Sequence, residues 1–367
     1  ASVVVLRVLL IPAIGIPQPR WNDEFSYLLA ADTFAHGKIT NPTHPMWIHF
    51  ESFHIVQHPT YMSMYAPAQG LALAAGQKLG NPWIGQLLAT AALCSAMCWM
   101  LQGWLPPAWA LFGGMLALLR LGLLSYWVNG YWGGSVVALG GALLLGALPR
   151  IYKRSRARDA VVMALGIALL ANSRPYEGLV VSIPFAAAMM VWVYQNRLHR
   201  RTWINVVLPL TALLVLSAAA TGYYYARVTG SPFRLAYQVN RETYATAPYF
   251  LWQKPRPEPV YNHAVMRDFY RWELTQFEDN RTLRGALDRT RAKLKGMWSF
   301  YLGPALSLPL FALPWILRDR RMRFPLIALA VFLTGLVPQT WTFPHYFAPA
   351  TGLLYLILIQ GVRHMRL

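Results

Sequence analysis

Runs of 17 to 22 residues with almost no charged side chain recur along this chain of 367 residues. A helix needs about 20 mainly apolar residues to cross the hydrocarbon layer of a bilayer. Only 13% of the residues are charged, too few to cover the surface of a soluble domain. The runs are also too long for strands and lack the alternation of a membrane barrel. They predict an all-α polytopic membrane protein.

We predict ten membrane-spanning helices, and we interpret the first as an anchor because the run has no charged leader and no cleavage site. The runs lie at 1–17, 83–104, 107–126, 131–148, 159–172, 178–194, 204–225, 297–317, 324–340 and 346–362. The fifth run is short for a full crossing. The expected parts are 1–225, with seven spans and the long loop 18–82, then a second long loop, 226–296, and finally 297–367, with three spans and a short tail.

Basic residues in the short loops predict the orientation. Fourteen Lys or Arg occur among the 30 residues of four short segments, 149–158, 195–203, 318–323 and 363–367. The alternate short loops, 127–130, 173–177 and 341–345, contain one, Arg174. Because basic loops stay in the cytoplasm, both termini are predicted to be cytoplasmic and both long loops external. The net charge of +19 then reflects topology and contact with lipid headgroups, and no nucleic-acid partner is expected.

The two long loops contain amphipathic stretches that are typical of helices lying in the membrane interface. In the first loop these stretches are 23–36 and 62–79, and in the second they are 263–279 and 281–295. Seven of the nine histidines also fall on the predicted outer side. We therefore expect any active site at the outer face, near the membrane boundary.

The segment WNDEFSY, residues 21–27, follows the first span and opens the external loop. It resembles the Asp-Glu signature of the GT-C superfamily of membrane glycosyltransferases, within which it is most similar to the protein O-mannosyltransferase and lipid A aminoarabinose transferase group. The resemblance continues through His58-Pro59, the segment YAPAQG at 65–70 and GNPW at 80–83. It covers about the first quarter of the chain and implies a GT-C-like fold with two external loops.

This resemblance implies an inverting glycosyltransferase that moves a sugar from a polyprenyl-phosphate donor to an acceptor hydroxyl. It points to Asp23 as the base or acceptor-orienting residue, with Glu24 in support. Phosphate leaves as an anion and needs no general acid, so one carboxylate acting as a base is sufficient. Cations must then stabilise the negative charge that develops on the phosphate. In the aminoarabinose group a Lys precedes a Pro where this chain has His58, which makes His58 a candidate phosphate ligand. The alternative for Asp23 is a helix N-cap.

Cationic and polar residues near the outer boundary are the other candidate ligands for substrate phosphate. Arg174 stands alone in a short outer turn, where the alternatives are a snorkelling side chain or an ion pair with Glu177. The further candidates are Arg120, which lies inside a span, Lys38, His345 and Tyr346; an interfacial aromatic belt explains Tyr346 equally well.

Whether a metal binds is left open by the sequence. No cofactor is required for the expected chemistry, but Glu51, His54 and His58 have spacings of three and four. On a helix these side chains would share one face and suit a divalent ion such as zinc. Pro59 disfavours a helix at His58.

Two other classes of function remain: a non-catalytic membrane subunit or scaffold on the same fold, and a transporter. A transporter predicts carboxylates in the middle of a span, and none is found there, since Asp159 lies at the cytoplasmic end of its predicted span. Composition suggests a bacterial inner membrane. The expected partners are the polyprenyl-phosphate sugar donor and membrane lipids, and the acceptor is unknown.

Overall fold

The computed structural model describes residues 1–366 and is built almost entirely from helices. The α-helices are α1 (Ser2–Leu9), α2 (Ile11–Ile14), α3 (Asn22–Ala35), α4 (Pro67–Lys78), α5 (Pro82–Leu101), α6 (Pro107–Ala117), α7 (Gly134–Arg154), α8 (Ala157–Ala171), α9 (Pro175–Gln195), α10 (Arg200–Thr202), α11 (Leu208–Thr229), α12 (Ala236–Tyr244), α13 (Ala264–Asn280), α14 (Leu283–Tyr301), α15 (Gly303–Ser307), α16 (Leu313–Arg318), α17 (Arg323–Leu336) and α18 (Thr351–Arg366). Shorter 3₁₀ or π turns occupy Trp47–Phe50, Leu118–Leu123, Trp203–Val207, Leu308–Ala312, Arg320–Met322 and Ala348–Ala350.

Within residues 1–366, four helices are long and apolar enough to cross a membrane: α5, α7, α9 and the continuous stretch Arg200–Thr229. A fifth candidate is the bent pair formed by α14 and Gly303–Arg318. Several of the other predicted spans are shorter helices, such as α8 with 15 residues and α17 with 14. These features are consistent with an all-α membrane protein, while the count of ten spans stays a prediction.

The predicted boundary between an amphipathic stretch at 281–295 and a span at 297–317 is wrong. The helix α14 crosses this boundary without a break and ends at Tyr301, and the chain then bends by 99° into Gly303–Arg318. Gly303 has a φ of +60°, and Pro304 has no N–H to continue the helix. Arg120, about 180 residues away in sequence, donates hydrogen bonds to the carbonyls that end α14.

The central helix α7 is buried over most of its length and packs mainly against α5 and α8. Its glycines allow this close packing. A Cβ at Gly140 would lie 2.9 Å from the carbonyl oxygen of Gly166 in α8. The bundle therefore forms a rigid support for the two long loops.

The two long loops pack against each other. In the first loop, the strands β1 (Ile55–Val56) and β2 (Met62–Ser63) form a small antiparallel hairpin. The predicted amphipathic stretch 62–79 is therefore helical only from Pro67 onwards. The Asn240 amide in α12 donates to the carbonyl of Ile55 at 2.9 Å, so the second loop closes over this hairpin.

Candidate active site

The carboxylate of Glu24 caps the start of α3. Its Oε2 accepts hydrogen bonds from the backbone N–H groups of Arg20 at 2.8 Å and Trp21 at 3.1 Å, and its Oε1 accepts one from Tyr131 at 2.9 Å. Free N–H groups at a helix start need such acceptors. Glu24 is buried, and its Oε2 caps the helix start while its Oε1 binds Tyr131. The alternative that Asp23 is the helix N-cap is therefore wrong.

Asp23 lies in the first turn of α3 and is free to make contacts outside the helix. The Tyr65 hydroxyl donates a hydrogen bond to Asp23 Oδ1, and His54 Nδ1 lies 3.5 Å from the same oxygen. Burial and then the charge of Asp23 raise the pKa of Tyr65 well above its ordinary value. Tyr65 therefore keeps its proton and remains a donor to Asp23.

His54 faces Asp23 as a neutral imidazole. Burial lowers the pKa of His54, against the opposing effect of the Asp23 charge. The backbone of His54 is held at a φ of +61°, unusual for a residue with a side chain. The Ser26 hydroxyl fixes it there by donating to the His54 carbonyl at 2.7 Å. Such local strain is often retained where it positions a functional side chain.

A cavity of about 380 Å³ opens beside this group. It is lined by Tyr65 from the first loop, by the turn that carries Arg174, and by residues of the second loop. The polar lining residues from the second loop include Tyr237, Arg241, Glu242, Tyr249, Lys254 and Arg256. The hydrogen bond from Tyr65 to Asp23 thus connects the carboxylate to the cavity wall.

Arg174 lines the cavity and has buried hydrogen-bond donors that are not used within the described part of the chain. Its guanidinium stacks 3.5 Å from the ring centre of Tyr346. Its Nε and Nη2 are buried and have no hydrogen-bond partner in residues 1–366. No ion pair between Arg174 and Glu177 within 4.0 Å is found in residues 1–366, where Glu177 Oε1 accepts from Tyr249 at 3.0 Å and Gln339 at 2.9 Å. Burial lowers the pKa of Arg174, but the nearby charge of Glu177 and the neighbouring tyrosines together outweigh this effect and raise it. These unused donors match the oxygens of a phosphate.

His345 lies next to Arg174 but is not itself charged. Burial, and then the charge of Arg174, hold the pKa of His345 well below its ordinary value. Its Nδ1 lies 3.0 Å from the Tyr126 hydroxyl, and its ring packs 4.8 Å from that of Trp132. His345 and Tyr346 therefore support the surroundings of Arg174.

Tyr27 lies close enough to both Asp23 and Arg174 for each charge to affect its pKa. Tyr27 is buried and stacks on Tyr65 at 4.5 Å. Burial raises its pKa; the charge of Arg174 opposes this effect, and that of Asp23 adds to it. One tyrosine thus interacts with an acid from the first loop and with a cation that lies about 150 residues further along the chain.

Of the six predicted phosphate ligands, only Arg174 is among the residues that line the cavity; Arg120, Lys38, His58, His345 and Tyr346 are absent from the lining. Arg120 donates from Nε to the carbonyl of Phe300 at 2.9 Å and holds the bend after α14. Lys38 is exposed at the end of α3. His58 is exposed and packs against the ring of Trp47 at 4.5 Å. The structure places Arg174 in the cavity wall, and His345 and Tyr346 lie behind that wall, beside Arg174.

The candidate metal ligands Glu51, His54 and His58 do not come together as a metal-binding group in residues 1–366. No group of three or more His, Cys, Asp or Glu able to hold a metal ion is found within residues 1–366. The left-handed backbone at His54 breaks the helical spacing on which the prediction rested. The Glu51 carboxylate accepts instead from Asn262 at 3.0 Å, and His54 turns towards Asp23.

Sequence reasoning missed the contribution of the second loop. Arg241 is buried and pairs with Glu273 at 2.7 Å, which fixes the wall of the cavity. Lys254 and Arg256 add cations to the lining. The basic stretch KPRP at 254–257 was the only local signal, and nothing in it indicated a contact with the first loop.

Comparison with solved structures identifies the architecture. The oligosaccharyltransferase of Archaeoglobus fulgidus in its apo form, a GT-C enzyme, aligns over 100% of this chain and 50% of its own, with 14% identity and a TM-score of 0.53. The fold is GT-C-like. The same enzyme tethered to an acceptor peptide, and AglB from the same organism with an inhibitory peptide and a dolichol-phosphate, each align with 14% identity and a TM-score of 0.49, over 100% of this chain and 49% and 50% of theirs.

This chain spans about half the length of the archaeal chains that it matches. Neither a protein-family model nor a curated protein sequence matches it. The GT-C-like fold agrees with the resemblance of the WNDEFSY segment, which begins α3 in the structure. The similarity concerns the fold alone, and the roles of individual residues rest on the contacts around the cavity.

Proposed function

We propose that this chain is an inverting glycosyltransferase that moves a sugar from a polyprenyl-phosphate donor to an acceptor hydroxyl at the outer face of a bacterial inner membrane. The observation that carries the proposal is the Arg174 guanidinium, whose Nε and Nη2 are buried beside the cavity without hydrogen-bond partners in residues 1–366. The Glu177 charge stabilises this guanidinium, but the two buried N–H donors stay unsatisfied by the described residues, which is costly unless an anion accepts from them. A donor phosphate supplies that anion.

In the proposed reaction, the acceptor oxygen attacks the anomeric carbon of the sugar. The bond between that carbon and the phosphate oxygen breaks, and its electron pair leaves with the phosphate. Asp23 takes the proton of the acceptor hydroxyl, while Arg174, Lys254 and Arg256 meet the charge on the phosphate. A single displacement of this kind inverts the anomeric centre.

The contacts around Asp23 suit a base. One oxygen, Oδ1, accepts a hydrogen bond from Tyr65 and faces His54. The Asp23 side chain is 25% exposed to solvent. The neutral state of His54 leaves the Asp23 charge without a competing cation on that side. The other oxygen, Oδ2, is available to the acceptor.

The proposal is tested by incubating the purified chain in lipid with a panel of radiolabelled polyprenyl-phosphate sugars and extracts containing acceptors. We expect labelled product from at least one donor, with the anomeric configuration inverted. A retained configuration would overturn the single displacement. If every donor binds to the protein and none gives product, the chain is a non-catalytic subunit on the same fold.

A further inference from the structure

A second group of pockets lies at the predicted cytoplasmic ends of α5, α7 and α8, away from the proposed active site. Two pockets, of about 370 and 330 Å³, share Trp99, Arg150 and Arg158 in their linings. The first also contains Lys153 and Arg154, and the second is bordered by Asp159. The pair forms one basic cleft between three helices.

The wall between the two pockets is a built feature of the fold. The Arg150 guanidinium stacks 4.0 Å from the ring centre of Trp99. It donates to the carbonyls of Gly146 at 2.6 Å and Trp99 at 2.7 Å. The absence of a side chain at Gly103 makes room for it, since a Cβ there would lie 2.8 Å from Arg150 Nη1. This cation is therefore held in place.

The charges of the cleft are not balanced by the protein. Four cations and one carboxylate give a net charge of 4 − 1 = +3. Lys153 and Arg154 form no ion pair within residues 1–366, and Arg158 reaches Asp159 only at 3.8 Å. An anion would relieve the mutual repulsion of these side chains.

The second pocket joins these charges to apolar surface. Leu143 and Val162 contribute to its lining together with Trp99, next to Arg150 and Arg158. A ligand that fits both features has an anionic headgroup continued by a hydrocarbon chain. Inorganic phosphate has no hydrocarbon chain, so it would fit the cationic side chains but not the apolar surface.

We propose that this cleft binds an anionic phospholipid from the cytoplasmic leaflet, and that it prefers cardiolipin, whose two phosphates can occupy both pockets. Basic pockets between helices at this membrane face suit such headgroups. The lipid would fix the ends of α5, α7 and α8 relative to one another. The site is independent of the proposed sugar transfer.

The test is native mass spectrometry of the full chain in detergent, titrated separately with cardiolipin, phosphatidylglycerol and inorganic phosphate. The triple variant Lys153→Gln, Arg154→Gln, Arg158→Gln removes three charges from the cleft. The matched control, Arg318→Gln, Arg320→Gln, Arg321→Gln, removes three exposed charges from another predicted cytoplasmic loop. At about 1 kcal/mol for each basic residue near the lipid, we expect cardiolipin affinity to fall about 100-fold in the first variant and to stay unchanged in the control.

A second variant, Gly103→Leu, keeps every charge but displaces Arg150 from its position, and we expect it to weaken cardiolipin binding as well. Equal losses in the cleft and control variants would show a general attraction to charge and overturn the proposal. Displacement of cardiolipin by millimolar inorganic phosphate would identify free phosphate as the ligand, and it too would overturn the proposal. Phosphatidylglycerol binding as tightly as cardiolipin would overturn the preference for two phosphates.

Discussion

The Tyr65 hydroxyl donates a hydrogen bond to Asp23 Oδ1 across 42 residues of sequence. Tyr65 also stands in the wall of the cavity that holds the unpaired donors of Arg174. Arg174 therefore lines this cavity directly, and Asp23 is connected to the cavity wall through Tyr65. The proposed reaction requires this arrangement.

Replacing Tyr65 by phenylalanine removes the hydrogen bond and keeps the ring. Hydrogen bonds to charged groups contribute about 1.5–3 kcal/mol, so we expect sugar transfer to fall about 10- to 100-fold. The measurement is the rate of labelled product formation. The matched control is Tyr61→Phe, since Tyr61 lies in the same loop and its hydroxyl makes no hydrogen bond within residues 1–366. Equal rates of sugar transfer in the wild type, Tyr65→Phe and Tyr61→Phe would contradict a role for Tyr65 in the reaction.

Replacing Arg174 by glutamine removes the cation that we assign to the donor phosphate. We expect weaker donor binding and slower transfer, and Arg174→Lys should recover only part of the loss, because an ammonium cannot bind two phosphate oxygens in the fork geometry of arginine. Titration with a fluorescent polyprenyl phosphate measures the affinity. Arg267→Gln, an exposed change in the second loop, is the control. An unchanged affinity in Arg174→Gln would contradict the assignment.

Glu24 and Asp23 are adjacent but should respond differently to substitution. Glu24→Ala leaves three backbone N–H groups without their acceptor, which we expect to lower the free energy of unfolding by about 3 kcal/mol. Asp23→Asn should change stability little. Denaturation in detergent measures both, with the exposed Glu278→Ala as control. A larger loss of stability in Asp23→Asn than in Glu24→Ala would reverse the two roles.

Folding stability should fall in acid partly because of His345. The folded protein holds the pKa of His345 well below its ordinary value, whereas the unfolded chain binds a proton at about pH 6.5. The unfolded state therefore binds more protons as the pH drops below about 6.5, and stability is lost towards the folded pKa. We expect His345→Asn to lose less stability than the wild type between about pH 7 and 5. The exposed His36→Asn should behave like the wild type, and an unchanged slope in His345→Asn would contradict a buried neutral histidine.

Local patterns predicted the parts of this structure that depend on neighbouring residues. The start of α3 at the Asp-Glu pair and the isolated cation Arg174 were both visible in the sequence. The left-handed backbone at His54 could not be predicted, because the distant Ser26 hydroxyl holds it. The Gly303-Pro304 pair is a local signal for the break after α14, but the contact of Arg120 with the end of that helix depends on tertiary packing. The same is true of the cavity wall from the second loop, which reaches the site only through tertiary packing.

The most direct test of the account separates donor binding from transfer in Asp23→Asn. Donor affinity is measured by titration, and the transfer rate is measured in a single turnover with saturating donor. Loss of a base typically costs about 10²–10⁴-fold in rate, so the account predicts such a fall in transfer with an unchanged donor affinity. Equal transfer rates in the variant and the wild type would contradict it.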